Sequence, residues 1–339
     1  MIRIQEHVDL LPYNTFKIAA KARYFASVST VAELHALIDT QVYKHEKHLI
    51  LGGGSNILLT GDFEGLVIKI DLKGIETVWE DESTIELKAG AGEPWHSFVM
   101  FCVTNNYGGV ENMSLIPGTI GAAPIQNIGA YGIEVKDRIK SVEAIDVNSG
   151  DVRVFSNREC EFGYRESVFK HTLKGKYFIS SVTLTLTKKN HVLNTSYGAI
   201  QQTLDQHQTP PSIKSISDAV IAIRQQKLPD PKVVGNAGSF FKNPTIEKAH
   251  YESLKITYPE IPGYFTENQQ VKVPAGWLIE QCGWKGKTLD NIGVHPHQAL
   301  VLVNYGNGTG EKIWSLAQDI LASVKNKFAI DLQPEVNIV

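Results

Sequence analysis

The sequence predicts an α+β protein made of three successive regions. Its 339 residues exceed one ordinary domain. Apolar residues make up 42% and charged residues 20%, which is the balance of a chain that folds around sizeable cores. The texture also changes near residues 71 and 200, from helix, glycine loop and strand, to mostly strands, then back to helices and shaped loops. With a formal net charge of -3 and scattered lysines there is no basic stripe, which argues against nucleic acid as a partner. The opening MIRIQEHVDLLPYNTF carries charges within its first ten residues and no continuous apolar run, against a secretory leader. No stretch reads as a membrane span, so the cytoplasm is the expected location. Cys102, Cys160 and Cys282 lack the pair spacing of a zinc site or a disulfide framework and are expected to be structural.

In region 1–71, VAELHALIDT has helical periodicity, HLILGGGSNILLT reads as strand, glycine loop and strand, and GLVIKIDL alternates as a strand does. Region 72–200 holds TIELKAGAG, IKSVEAIDV, VRVF and YFISSVTLTLTKK, all β-branched or alternating. One helix interrupts them. GEPWHSFVMFCVTNN places Pro94 in a first turn and Trp95, Phe98, Val99 and Cys102 on one face, where they are expected in the core. In region 201–339, HQTPPSIKS is a turn or linker entry, and Ser212 caps a helix carrying Ile213, Ile216, Val220 and Ile223. Prolines on either side of Asp230 hold KLPDPKVVGNAGSFFKNP in a shaped loop. EKIWSLAQDILASVKNKF reads as a late helix, and DLQPEVNIV as a short terminal strand or extended tail.

Two glycine-rich stretches stand out. GGGSN, Gly52, Gly53, Gly54, Ser55 and Asn56, lies between strand-like segments, so its backbone N–H groups can converge on an anion or simply make a tight turn. It is neither a GxGxxG dinucleotide fingerprint nor a Walker loop. The second, NMSLIPGTIGAAPIQNIGAYGIEV, carries Gly118, Gly121, Gly129 and Gly132 among small residues, which lets backbone approach a flat ligand or relieves strain in an awkward loop. Together they suggest a cofactor with a diphosphate and a large planar part. FAD fits that description, although composition alone does not name it.

GGGSNILLT, IPGTIGAAPIQNIGAYG, FGYRESVF, KLPDPKVVGNAGSFFKNP and the terminal LQPEV together resemble the UDP-N-acetylenolpyruvoylglucosamine reductase family, flavoenzymes of bacterial peptidoglycan precursor synthesis, over nearly the whole chain. The resemblance implies two domains forming an FAD-binding unit of the p-cresol methylhydroxylase or vanillyl-alcohol oxidase type, here 1–71 and 72–200, followed by an α+β substrate-binding domain, 201–339, with a catalytic tail. It implies noncovalent FAD, which suits Ser55 and Asn56 standing where a covalent attachment would want histidine. Cofactor contacts carried over are Gly52, Gly53, Gly54, Ser55, Asn56, Pro117, Gly118, Thr119, Gly121, Ala122, Gln126, Asn127 and Gly129. NADPH is the implied hydride donor, a preference no residue here settles by itself. The implied acceptor is a nucleotide sugar, the enolpyruvyl ether of UDP-N-acetylglucosamine, and the expected oligomeric state is a monomer.

By the same resemblance, Arg165 and Glu335 polarise the enolpyruvyl carboxylate, and Ser239 gives the proton that completes reduction. A guanidinium is always charged and grips planar oxygens at two points. Glu335 helps only when protonated or bonded through a donor, because a bare carboxylate repels an enolate. Serine is a weak acid and suffices because its acceptor is carbanion-like. Ser239 lies in GNAGSFF rather than a GxSxG elbow, so a hydrolase reading has little support. One class of the family has cysteine at this position. Lys227 and Tyr197 are candidates for the substrate's diphosphate and uracil, with Asn243 and Gln298 as further polar contacts. The two histidines of VHPH have no acidic or cysteine companions, and no metal is expected. Two competitors remain: a flavin oxidase of a sugar-like or hydroxy-acid substrate, recognised by fast oxygen turnover, and a nucleotide-sugar binder without a reducible flavin.

Overall fold

The computed structural model describes residues 2–197, 199–266 and 269–339. Its chain divides into two compact units. Unit 1 comprises Met1–Val8, Ala22–Gly53 and Glu64–Gln226, and unit 2 comprises Asp9–Lys21, Gly54–Phe63 and Lys227–Val339. Cuts at 71 and 200 do not coincide with these limits. Two short segments of the first region belong with the C-terminal part because their partners lie there. Strand Ile57–Leu58 pairs in parallel with Asn337–Ile338, and Asn304 Nδ2 donates to the Phe16 carbonyl at 2.9 Å. Texture in a sequence cannot report pairing across such separations.

Unit 1 contains two sheets. In the first, Lys21–Val28 lies between Gln5–Asp9 and Phe63–Ile70, and His48–Leu51 pairs in parallel with Phe63–Ile70. In the second, the order is Val152–Ser156, Ile139–Asp146, Tyr177–Thr187, Thr84–Gly90, Ile75–Glu80, antiparallel throughout. Their inner faces share one apolar core with the helices Val31–Ile38 and Trp95–Thr104. Thr30 and Glu33 close a reciprocal capping box on the first helix. The second helix buries Trp95, Phe98, Val99 and Cys102 as its periodicity requires, but Pro94 stands one place earlier than expected, at the N-cap. Burial pushes the Cys102 thiol up, and the Cys160 thiol up to about 12, in keeping with inert structural cysteines.

The helix Ile213–Lys227 begins where Ser212 predicts it, with Ser212 Oγ accepting from Ser215 N at 3.0 Å. Ile216, Val220 and Ile223 pack against Ile200 and Leu204 of the helix Ala199–Gln206.

Unit 2 carries two small three-stranded sheets, Thr245–Glu247, Gln270–Lys272, Tyr264–Phe265 and Thr288–Leu289, Ile292–Val294, Leu302–Asn304. Its longest helix, Gly310–Phe328, is capped by Thr309 and buries Ile313, Leu316, Ile320, Val324 and Phe328 on one stripe. No helix among the described residues is long and apolar enough to cross a membrane.

Candidate active site

Within unit 1 the two glycine stretches meet backbone to backbone. A Cβ on Gly53 would stand 3.0 Å from Gly118 Cα, and one on Gly52 would stand 2.7 Å from Thr119 Oγ1. The second stretch is in turn stitched to the segment entering the helix Trp95–Thr104. Trp95 N donates to Gly118 O, Ile120 N to Glu93 O and Gly121 N to Ala91 O. Thr119 and Gly121 are buried by this pairing, Ala122 and Gln126 are half-buried, and Pro117 is exposed. Bare backbone suits a diphosphate and a flat ring system, which need close approach and N–H donors rather than side chains. The residues present therefore fit FAD. Gly121→Val would drive side-chain carbons into Ala91, whose Cβ lies 2.6 Å from the nearest added atom. The purified variant is expected to lose most of its flavin absorbance while keeping the far-ultraviolet spectrum of a folded chain.

Arg165 is held by this same stretch. It sits with φ of 58° at the turn of FGYRES, where Gly163 and Glu166 bridge. Its NH1 donates to Asn127 O at 3.1 Å and its NH2 to Gly129 O at 2.7 Å. A guanidinium fork of this kind matches a planar anion at two points. Asn127 is fully buried and its side chain is committed to protein: Nδ2 donates to Glu134 Oε2 and Gly163 O, and Oδ1 accepts from Lys136 N. Any cofactor contact by Asn127 or Gly129 is thus a main-chain one. Tyr197 is 57% exposed and meets Tyr131 edge-on at 5.6 Å. Its loop is fixed by buried Asn112, which donates to the carbonyls of Asn194 and Tyr131.

Unit 2 carries Ser239 and Glu335. Residues 235–242 run between two segments: Gly235 bridges Asn304, Ser239 bridges Val301, and Phe241 bridges Pro334. Phe240 N donates to Leu300 O on one side, and Glu335 N donates to Phe240 O at 2.8 Å on the other. The tail bearing Glu335 therefore lies hydrogen-bonded beside the residue next to Ser239. Both are half-buried. Asn56 belongs to unit 2: its Nδ2 donates to Glu335 O at 3.2 Å, and its own carbonyl accepts from Asn337 N. Gly54 packs under the Tyr13 carbonyl, and Ser55 is half-buried beside it.

The turn that presents Ser239 is locked by Asn236, which is 4% exposed. Its Oδ1 accepts from Gly238 N at 3.0 Å, and its Nδ2 donates to Pro229 O and Val234 O. Gly238 adopts φ of 70°, a left-handed conformation that lets the chain turn immediately before the serine. Asn236→Ala removes three bonds at a buried position and is expected to lower stability by about 2 kcal/mol, read as a shifted urea midpoint, with a matching loss of turnover.

Of the weaker candidates, Asn243 Oδ1 accepts from Ala275 N at 2.9 Å, so it supports the start of the helix Ala275–Gln281. Its amide nitrogen makes no protein hydrogen bond among the described residues. Gln298 Oε1 accepts from Leu300 N at 3.4 Å. Lys227 is exposed at the end of its helix. Sequence reasoning passed over Asn236, Asn112 and Tyr131. Asn236 alone carried a signal, an Asn two residues before a glycine within the serine loop.

The comparisons with known proteins give the family. The C-terminal domain of UDP-N-acetylenolpyruvoylglucosamine reductase matches residues 230–339, and an FAD-binding domain matches residues 22–156. UDP-N-acetylenolpyruvoylglucosamine reductases of Flavobacterium johnsoniae and Amoebophilus asiaticus are 50% and 51% identical, the first over 100% of both chains and the second over 99% of both. The crystal structure of the corresponding reductase from Thermus caldophilus shares the fold, with a TM-score of 0.70, 21% identity, and coverage of 100% of this chain and 99% of that one. At half identity along its full length, with both domains matched in order, this chain belongs to the UDP-N-acetylenolpyruvoylglucosamine reductase family.

Proposed function

We propose that this protein reduces the enolpyruvyl ether of UDP-N-acetylglucosamine to UDP-N-acetylmuramate with NADPH, working as a cytoplasmic monomer. The observation that carries the reading is the pairing of the Glu335 tail with the Ser239 segment, through Glu335 N and Phe240 O. It sets an acidic and a hydroxyl side chain on adjacent segments, with bare glycine backbone and Arg165 in unit 1. The three regions cut at 71 and 200 are kept as a proposal for two FAD-binding subdomains and a substrate domain.

Bound FAD would supply the hydride chemistry, with NADPH as the source of the hydride. Gly52, Gly53, Gly118 and Thr119 would hold the cofactor through main-chain N–H groups, with the Gly121 N–H already given to Ala91 O. Arg165 grips the substrate carboxylate, so that charge arriving next to it is met by a fixed cation. Hydride addition at the terminal carbon pushes the π pair onto the carbon bearing the ether oxygen and carboxylate. Glu335, protonated, donates to the carboxylate oxygen where that charge collects. The Ser239 hydroxyl then gives its proton to the carbon, and solvent restores it. Hydride and proton together saturate the double bond.

The test is an anaerobic two-step spectrum of the purified holoenzyme. NADPH should bleach the flavin band, and the enolpyruvyl substrate should restore it with one product formed per flavin. Bleaching without recovery would leave a flavoprotein with another substrate. Sedimentation checks the monomer.

A further inference from the structure

Arg165 stands in a backbone conformation that its own residue type disfavours. With φ of 58° it is the second of the two residues that turn the chain between Gly163 and Glu166, a place where positive φ ordinarily selects glycine or asparagine. The turn is closed by a reciprocal pair of main-chain bonds, Gly163 N to Glu166 O at 3.0 Å and Glu166 N to Gly163 O at 3.3 Å. A peptide flip inside it would carry the guanidinium off the carbonyls of Asn127 and Gly129. A strained residue keeps its conformation only when its surroundings over-determine it.

Two side chains from outside the turn are bonded to its carbonyls. Lys170 Nζ donates to Arg165 O at 3.1 Å, and Asn127 Nδ2 donates to Gly163 O at 2.8 Å. Asn127 is itself left-handed, with φ of 42°, and its Oδ1 accepts from Lys136 N at 3.1 Å, so the buried amide is fixed from both ends. Buried Ser167 adds a third stitch, from its Oγ to Ile125 O at 2.7 Å. The two segments thus hold each other: the guanidinium binds the carbonyls of 127 and 129, while the Asn127 amide binds the carbonyl that opens the turn. A half-buried lysine bonded to a main-chain carbonyl gives up side-chain freedom that water would leave it. What it fixes here is the peptide of the residue that faces the substrate carboxylate.

We propose that Lys170 and Asn127 are positioning residues for Arg165, pinning the two carbonyls of its turn and so setting where the guanidinium meets the carboxylate. The proposal rests on the reading of Arg165 as the carboxylate's partner, and it moves the Asn127 side chain from the cofactor to the substrate step.

Anaerobic stopped-flow absorbance of the holoenzyme tests it, with wild type, Lys170→Met, Lys170→Arg, Asn127→Gly, Arg165→Met and the double variant of Arg165→Met with Lys170→Met. In Lys170→Met, reoxidation by the enolpyruvyl substrate should slow by about tenfold or more, as a misplaced binding group does. Flavin content and reduction by NADPH should stay at wild-type level. Lys170→Arg, which keeps a cationic donor, should recover most of the loss. Asn127→Gly keeps the left-handed backbone and should behave as Lys170→Met does; if it does not fold, the lysine variants carry the test. On the Arg165→Met background, Lys170→Met should slow reoxidation by less than about twofold more, because a positioning residue is silent once the group it positions is gone. The same loss in both backgrounds would show that Lys170 acts independently of Arg165 and would overturn the proposal. So would near-wild-type reoxidation in Lys170→Met, loss of flavin from either the Lys170→Met or the Asn127→Gly protein, or equal slowing of both half-reactions. Each of these leaves the reductase reading intact. Failure of wild type to be reoxidised by the enolpyruvyl substrate removes that reading, and this assignment with it.

Discussion

Ser239→Ala is expected to split the catalytic cycle. Flavin reduction by NADPH should proceed at close to the wild-type rate, because no proton from Ser239 is needed there. Reoxidation by the enolpyruvyl substrate should slow by about a thousandfold, within the range for a lost general acid. Stopped-flow absorbance under anaerobic conditions reads both phases in one protein. The substitution is mild for the fold: the bridge of Ser239 to Val301 is made by the main chain and survives, and the turn is fixed by Asn236 and Gly238. Ser239→Cys should recover part of the second phase, since a thiol also gives up a proton and one class of the family uses cysteine there. Equal slowing of both phases would show that the serine positions the flavin or the loop, and would remove it as proton donor.

Glu335 should give the second largest effect, and its two substitutions should differ. Glu335→Ala removes the donor and is expected to slow substrate reduction by about a hundredfold or more, the usual cost of one donor to a developing oxyanion. Glu335→Gln keeps an N–H donor in nearly the same shape and should lose only about tenfold on the same scale. Flavin reduction should hardly change in either. The ordering matters more than the sizes, because a carboxylate acting as a base would be disabled equally by glutamine and alanine. Main-chain bonds of Glu335 to Phe240 and Asn56 persist in both variants, so the tail is expected to stay seated. Near-identical melting temperatures check that point.

Much of the local structure could be read from residue order because its causes are local. The helix Ile213–Lys227 follows from Ser212 and four apolar residues at helical spacing, and Phe63–Ile70 from its alternation. Strand Ile75–Glu80 escaped notice because it is an edge strand with mostly exposed side chains, so burial imposes no alternation on it. The catalytic candidates came from motif resemblance, and periodicity contributed nothing to them. Asn236 needed the structure, since a lone asparagine is silent until its partners are known.

The chain's path between its units bears on how the protein is made. Residues 57–58 wait for 337–338, about eighty per cent of the chain later, before their strand can form. Thr60 likewise waits for the carbonyl of Val339. At roughly 5–20 residues per second, the ribosome holds these early segments unpaired for many seconds. Unit 1 has most of its own partners by residue 226 and is free to fold during that time. Unit 2 can be completed only once residues 337–339 have been made, by closing a very long loop, so a nascent chain stalled before them would expose the first glycine turn and the serine segment to misfolding and proteolysis.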